Sequence, residues 1–84
     1  MLKADNLETI PGIGKSLAQD LRNINIHSVK ELKGLDPQDV YDRSNAYAGA
    51  VQDPCVLFAF RCAVYFAEGG RKPEKLKWWN WKNV

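Results

Sequence analysis

Metal-binding and catalytic side chains are scarce in this chain. Its 84 residues include one histidine, His27, and two cysteines, Cys55 and Cys62. No Cys-x-x-Cys pair occurs, so a zinc site runs short of ligands. The two cysteines stand seven positions apart in a helix-like segment, about 10 Å along a helix axis and too far for a disulfide. Both thiols are expected to be reduced and buried. The apolar run from Val56 to Phe60 stops at Arg61, and nothing approaches the ~18 residues of a membrane span. The opening Met-Leu-Lys-Ala-Asp has no apolar signal region, so a soluble cytoplasmic protein without membrane contact is expected. There is no P-loop and no His–carboxylate–nucleophile set, and His27 has no partner that would make it catalytic. Neither an enzyme nor a cofactor is expected.

What is present is ordinary globular composition, 45% hydrophobic and 26% charged, in a chain with little core to spare. Charge is uneven within the overall +2. Met1 to Gly70 carries 7 Lys/Arg against 9 Asp/Glu, whereas Arg71, Lys72, Lys75, Lys77 and Lys82 face only Glu74 in the last 14 residues. A basic, tryptophan-rich tail on a mildly acidic body hints at an anionic partner.

Helix punctuation is plentiful and strand alternation nearly absent, which predicts an all-α fold of five helices. The first runs from about Asp5 to Ile10 and ends at Pro11-Gly12. The second starts near Gly14 and carries Leu17, Ala18 and Leu21 on one face. Asn25 marks a turn, because asparagine tolerates the left-handed conformation. Ser28 and Glu31 have capping-box spacing for a short third helix through Leu32, closed by Gly34. Asp36-Pro37 opens the fourth, which carries Val40, Tyr41 and Tyr47 and stops near Gly49. Asp53-Pro54 opens the fifth, Cys55 to about Glu68. The fifth is apolar round most of its circumference and should be central. Pro73 opens a last turn with Leu76, Trp78 and Trp79. One domain over 1–84 is expected, with a hairpin unit (5–33), a helical half (36–70) and a basic tail (71–84). Phe58 or Phe60, Leu57, Val64, Ile13, Leu17 and Leu21 should be largely buried.

The segment Ile10-Pro11-Gly12-Ile13-Gly14-Lys15-Ser16 carries the chemistry. Gly12 lets the chain reverse tightly, and the glycines clear side chains from the start of the second helix. Free N–H groups there, with the positive end of the helix dipole, make an anion site out of backbone. Ile13 should plug inward. This pattern resembles the helix-hairpin-helix family, and Asn25-Ile26-His27-Ser28-Val29-Lys30-Glu31-Leu32 resembles the turn and short helix that often follow its hairpin. Asn25 stands where that family usually has glycine. The resemblance implies sequence-independent binding of DNA through backbone amides, with Gly12, Ile13, Gly14, Lys15 and Ser16 as nucleic-acid-binding residues. Some members of that family hold a monovalent cation on hairpin carbonyls, which would fall on Glu8, Ile10 and Ile13. A second hairpin, expected at Gly34-Leu35-Asp36-Pro37, has one glycine and an acidic residue where a phosphate would sit, so it looks degenerate.

Further along, Asp53-Pro54-Cys55-Val56-Leu57, Phe60 to Ala67 and Leu76-Lys77-Trp78-Trp79-Asn80-Trp81-Lys82 resemble a small bacterial family known as the pathogenicity locus protein, also as mitomycin resistance protein. Those names state no biochemical activity. Arg61, inside an apolar helix, could pair with Glu68 or stack on Trp or Tyr. The tryptophan cluster could stack unpaired bases or dock on the core. The sequence thus points to a weak DNA-binding module, with a protein-interaction module whose hairpin is purely structural as the alternative.

Overall fold

Two Asp-Pro starts set the main helices in this computed structural model, which describes residues 6–82. Helix α2, Pro37–Ala48, is capped by the Asp36 carboxylate, which accepts from the Gln38 N–H at 3.0 Å. Helix α3, Pro54–Ala67, is capped by Asp53, which accepts from the Cys55 N–H at 2.8 Å. In each, proline occupies the first turn, where its missing N–H costs nothing. Helix α1, Lys15–Asn23, precedes them, and Asn25 beyond its end takes a left-handed φ of 69°. No strand occurs among the described residues. All-α is therefore the architecture.

The count of five helices is not. Among the described residues there are three α-helices joined by short 3-10 turns at Leu7–Thr9, Val29–Leu32, Pro73–Leu76 and Trp78–Trp81. The first expected helix shrinks to Leu7–Thr9, capped by Asn6, whose side chain accepts from the Glu8 N–H at 2.9 Å; Asp5 lies outside the described residues. Pro11 and Gly12 leave it too little chain to repay helix nucleation, so i→i+3 bonds suffice. The expected third helix meets the same limit at Gly34, where φ is +81°. Its capping box does not form, because the Glu31 carboxylate bonds one residue before the N-cap Ser28. Glu31 accepts from the His27 N–H at 2.6 Å, while the Ser28 side chain makes no capping bond.

A single apolar cluster joins all three helices and the first two turns, with Leu7, Ile10, Leu21, Leu32, Val40 and Phe60 almost wholly removed from water. Helix α3 packs against α2, the Val29–Leu32 turn and both tail turns, which confirms its central place. Its buried face is narrower than the sequence suggests. Ala59, Phe60, Cys62, Ala63 and Val64 are buried, Leu57, Phe58, Tyr65 and Phe66 half-buried, and Cys55 exposed. Ile13 and Leu21 are buried as expected, but Leu17 only half so. The radius of gyration, 11.7 Å, matches the about 12 Å of a compact chain this long.

The tail folds back over α3. Arg61, for which the sequence left Glu68 or an aromatic ring open, donates from Nη1 to the Trp81 carbonyl at 2.7 Å and lies over the Phe58 ring. The Trp81 indole N–H donates to the Lys75 carbonyl at 2.7 Å, and its ring lies 5.5 Å from that of Tyr65. The Tyr65 hydroxyl in turn accepts from the Lys72 N–H at 3.1 Å. Trp78 and Trp81 are half-buried, and Trp79 is 55% exposed.

Gly70 sits on the face of the Tyr65 ring, so close that a Cβ there would collide with the ring carbons. Because Trp81 and Lys72 pin that ring, Gly70→Ala should cost about 1–3 kcal/mol through overpacking and shift tryptophan emission to the red. Gly49→Ala is the control. Its φ of +72° would strain an alanine, yet a Cβ there would meet nothing within 4 Å, so thermal melting should drop while emission holds.

Candidate nucleic-acid interface

The turn at Pro11-Gly12 is built from backbone. Gly12 has φ +89°, a region costly for residues with a Cβ, and the Ile13 N–H donates to the Ile10 carbonyl at 3.0 Å. Ile13 is buried, so it offers neither its side chain nor its N–H to a ligand and serves as the plug. Gly14 is the N-cap of α1 and makes no side-chain capping bond. Its carbonyl accepts from the Ala18 N–H at 2.9 Å, which starts the helix and leaves the N–H groups of Lys15 and Ser16 without an acceptor among the described residues. Gly14, Lys15 and Ser16 are exposed, no acidic residue lies in the first turn, and a Cβ on Gly14 would meet nothing within 4 Å. Glu8 leans instead toward Arg22, with 3.8 Å between their charged atoms.

The other helix starts differ in kind. Asp36 and Asp53 fill the first turns of α2 and α3 with their own carboxylates. At the second glycine turn, the Gly34 N–H donates to Glu68 Oε2 at 3.1 Å. An anion approaching either place meets a carboxylate already hydrogen-bonded there. Of the three α-helices described, only α1 presents an open, uncharged N-terminus.

One neighbour of the hairpin was not legible in the sequence. Trp78 lies against Gly12, with its Cδ1 3.1 Å from where a Cβ would be. Gly12 is thus required twice, by its φ and by the indole. A groove of about 320 Å³ opens beside this contact, lined by Gly12, Leu17, Cys55, Val56, Ala59 and Trp78. Behind it, the buried Cys62 thiol stands 3.8 Å from the Pro11 carbonyl and 3.6 Å from that of Lys75, between hairpin and tail. The expectation of two buried thiols therefore holds for Cys62 alone. Cys55 is exposed because it sits in the first turn of α3, before the helix meets the core. Both cysteines are free, and neither is a primed nucleophile. The Asp53 carboxylate, hydrogen-bonded to Cys55, pushes that thiol up, and burial pushes Cys62 up, so both are mostly protonated near neutral pH.

The profile of a family described as "Pathogenicity locus" matches residues 2–84. The mitomycin resistance protein McrB of Streptomyces lavendulae is 34% identical over 76 residues, spanning 90% of this chain and 70% of that protein. No solved structure matches the chain.

The two thiols should separate cleanly in alkylation. Cys55 should react in the native protein with a pH midpoint above that of a free thiol, and Cys62 only on global unfolding. Asp53→Asn retains a good N-cap but removes the negative charge. It should lower the Cys55 midpoint and speed its alkylation at pH 8, with little change in melting temperature. An unchanged midpoint would show that Asp53 does not set the reactivity.

Proposed function

The chain belongs to the Pathogenicity locus family; because that description names no ligand, we propose a function from the site itself, namely weak, sequence-independent binding of DNA phosphates by the hairpin from Pro11 to Lys15. The observation that carries this reading is the asymmetry of the helix starts. Two are closed by aspartate, and the one that follows the glycine turn is open and flanked by Lys15. A phosphate seated there gains backbone hydrogen bonds, the helix dipole and the lysine charge, and touches no base edge. This is the helix-hairpin-helix mode of binding, used once, with the second turn silenced by Glu68 and Asp36. It requires no reaction, cofactor or metal. The alternative, a protein-docking module whose hairpin only packs, is favoured by one contact, the seat of Trp78 on Gly12.

Gly14→Asp decides between them. Open space surrounds Gly14, and aspartate is a better N-cap than glycine by a few tenths of a kcal/mol. The variant should melt no lower than the wild type yet lose DNA binding, because its carboxylate takes the phosphate's place. Wild-type affinity should lie at roughly 10⁻⁴–10⁻⁶ M with a log–log salt slope of about −2 to −3, and Lys15→Ala should shallow the slope by about 1. If Gly14→Asp binds DNA as the wild type does, or if nothing binds at low salt, the hairpin is packing only.

A further inference from the structure

The tail adds a second contact to this surface. We propose that the nucleic acid taken here is single-stranded, with an unpaired base stacked on Trp79 and the adjoining lysines on its backbone. The inference rests on the phosphate-binding reading above and names the strand form that reading leaves open.

Three observations carry it. Trp79 is 55% exposed while Trp78 and Trp81 on either side are half-buried against the body. A domain this small gains stability by burying indoles, so an indole left out is available for another use. Trp79 is also held rather than loose. Its ring packs edge-on against Trp78, with centroids 5.7 Å apart and planes at 87°, and Trp78 is the residue seated on Gly12. The hairpin and the exposed indole are therefore linked through one ring, and a base stacking on Trp79 loses little entropy to ordering its platform.

Charge supplies the third. Lys77 and Lys82 flank the tryptophans and are exposed. The ion pairs among the described residues, Arg22 with Glu8 and Arg43 with Asp39, involve neither of them. Lysines outside those ion pairs, around an exposed aromatic, fit a polyanion whose bases have free faces. A duplex keeps its bases paired and stacked, so it can satisfy the lysines and the hairpin but not the indole. A strongly acidic protein partner could use the lysines and put a carboxylate on the hairpin amides, but it offers no regular run of flat faces for the indole.

The test compares fluorescently labelled oligothymidylate with a blunt duplex of equal length, by anisotropy at low salt, for the wild type, Trp79→Ala and Gly14→Asp. The wild type should bind the single strand at least about fivefold more tightly than the duplex, the worth of one stacked base. Trp79→Ala should bring that ratio to about one, Trp79→Phe should keep part of it, and circular dichroism should show both variants folded. Equal wild-type affinities, or a preference that Trp79→Ala leaves intact, overturn the single-strand proposal. If Gly14→Asp still abolishes duplex binding in that case, the phosphate reading stands without it, and Trp79 falls to a protein partner. Absence of salt-sensitive binding to either form overturns both.

Discussion

The hydrogen bond from Arg61 to the Trp81 carbonyl is the constraint on which the rest of the surface depends. Arg61 sits half-buried in the most apolar helix of the chain, where an unpaired guanidinium is expensive. Its partner is a carbonyl of the tail, which ties Trp81 to α3. Charge-assisted bonds of this kind are worth about 1.5–3 kcal/mol, a large part of the roughly 4–13 kcal/mol that holds a chain this size folded. Tyr65 then takes Trp81 on its ring and the Lys72 N–H on its hydroxyl. Once Trp81 is fixed, the chain places Trp78 against Gly12. A residue that looks like a flaw in an apolar helix thereby brings the tail to the hairpin.

The same economy of backbone governs the helix starts. Asp36 and Asp53 each stabilise a helix by occupying an amide of its first turn, and both do so with a negative charge. Glycine at the corresponding place in α1 gives up that stabilisation and leaves the amides to solvent. The amphipathic stripe of Ala18 and Leu21, buried in the common core, holds α1 without a cap. Packing therefore does for α1 what capping adds to α2 and α3, and its N-terminus is left open.

Local signals were legible in the sequence, and long-range ones were not. The Asp-Pro starts, the left-handed Asn25 and the closing Gly49 follow from backbone chemistry within four or five residues, and the structure repeats them closely. Whether a short segment becomes an α-helix or a 3-10 turn depends on how much chain remains before a breaker, and Leu7–Thr9 and Val29–Leu32 fell on the shorter side. Arg61 was visibly in need of a partner, but a carbonyl twenty residues away leaves no trace in helical spacing. The exposure of Cys55 escaped because α3 projects its first turn past the core it otherwise enters. Of the hairpin, the glycines and the buried Ile13 were readable, while the indole on Gly12 depended on the tail's path.

Two kinds of force would then act on one strand, and they answer differently to the solution. Phosphate held by amides and lysine releases counterions, so its contribution fades as salt rises. An indole face against a base is largely apolar and keeps most of its worth in salt. A site with only the first would weaken steadily as salt rises toward physiological ionic strength. A site with only the second would hold any flat apolar surface. Joined through Trp78, the two proposed contacts would select a chain that carries phosphates and free bases at once, and the second contact would become intramolecular after the first is made. Such coupling would depend on the tail staying docked, and therefore on Arg61 and the Trp81 carbonyl it holds.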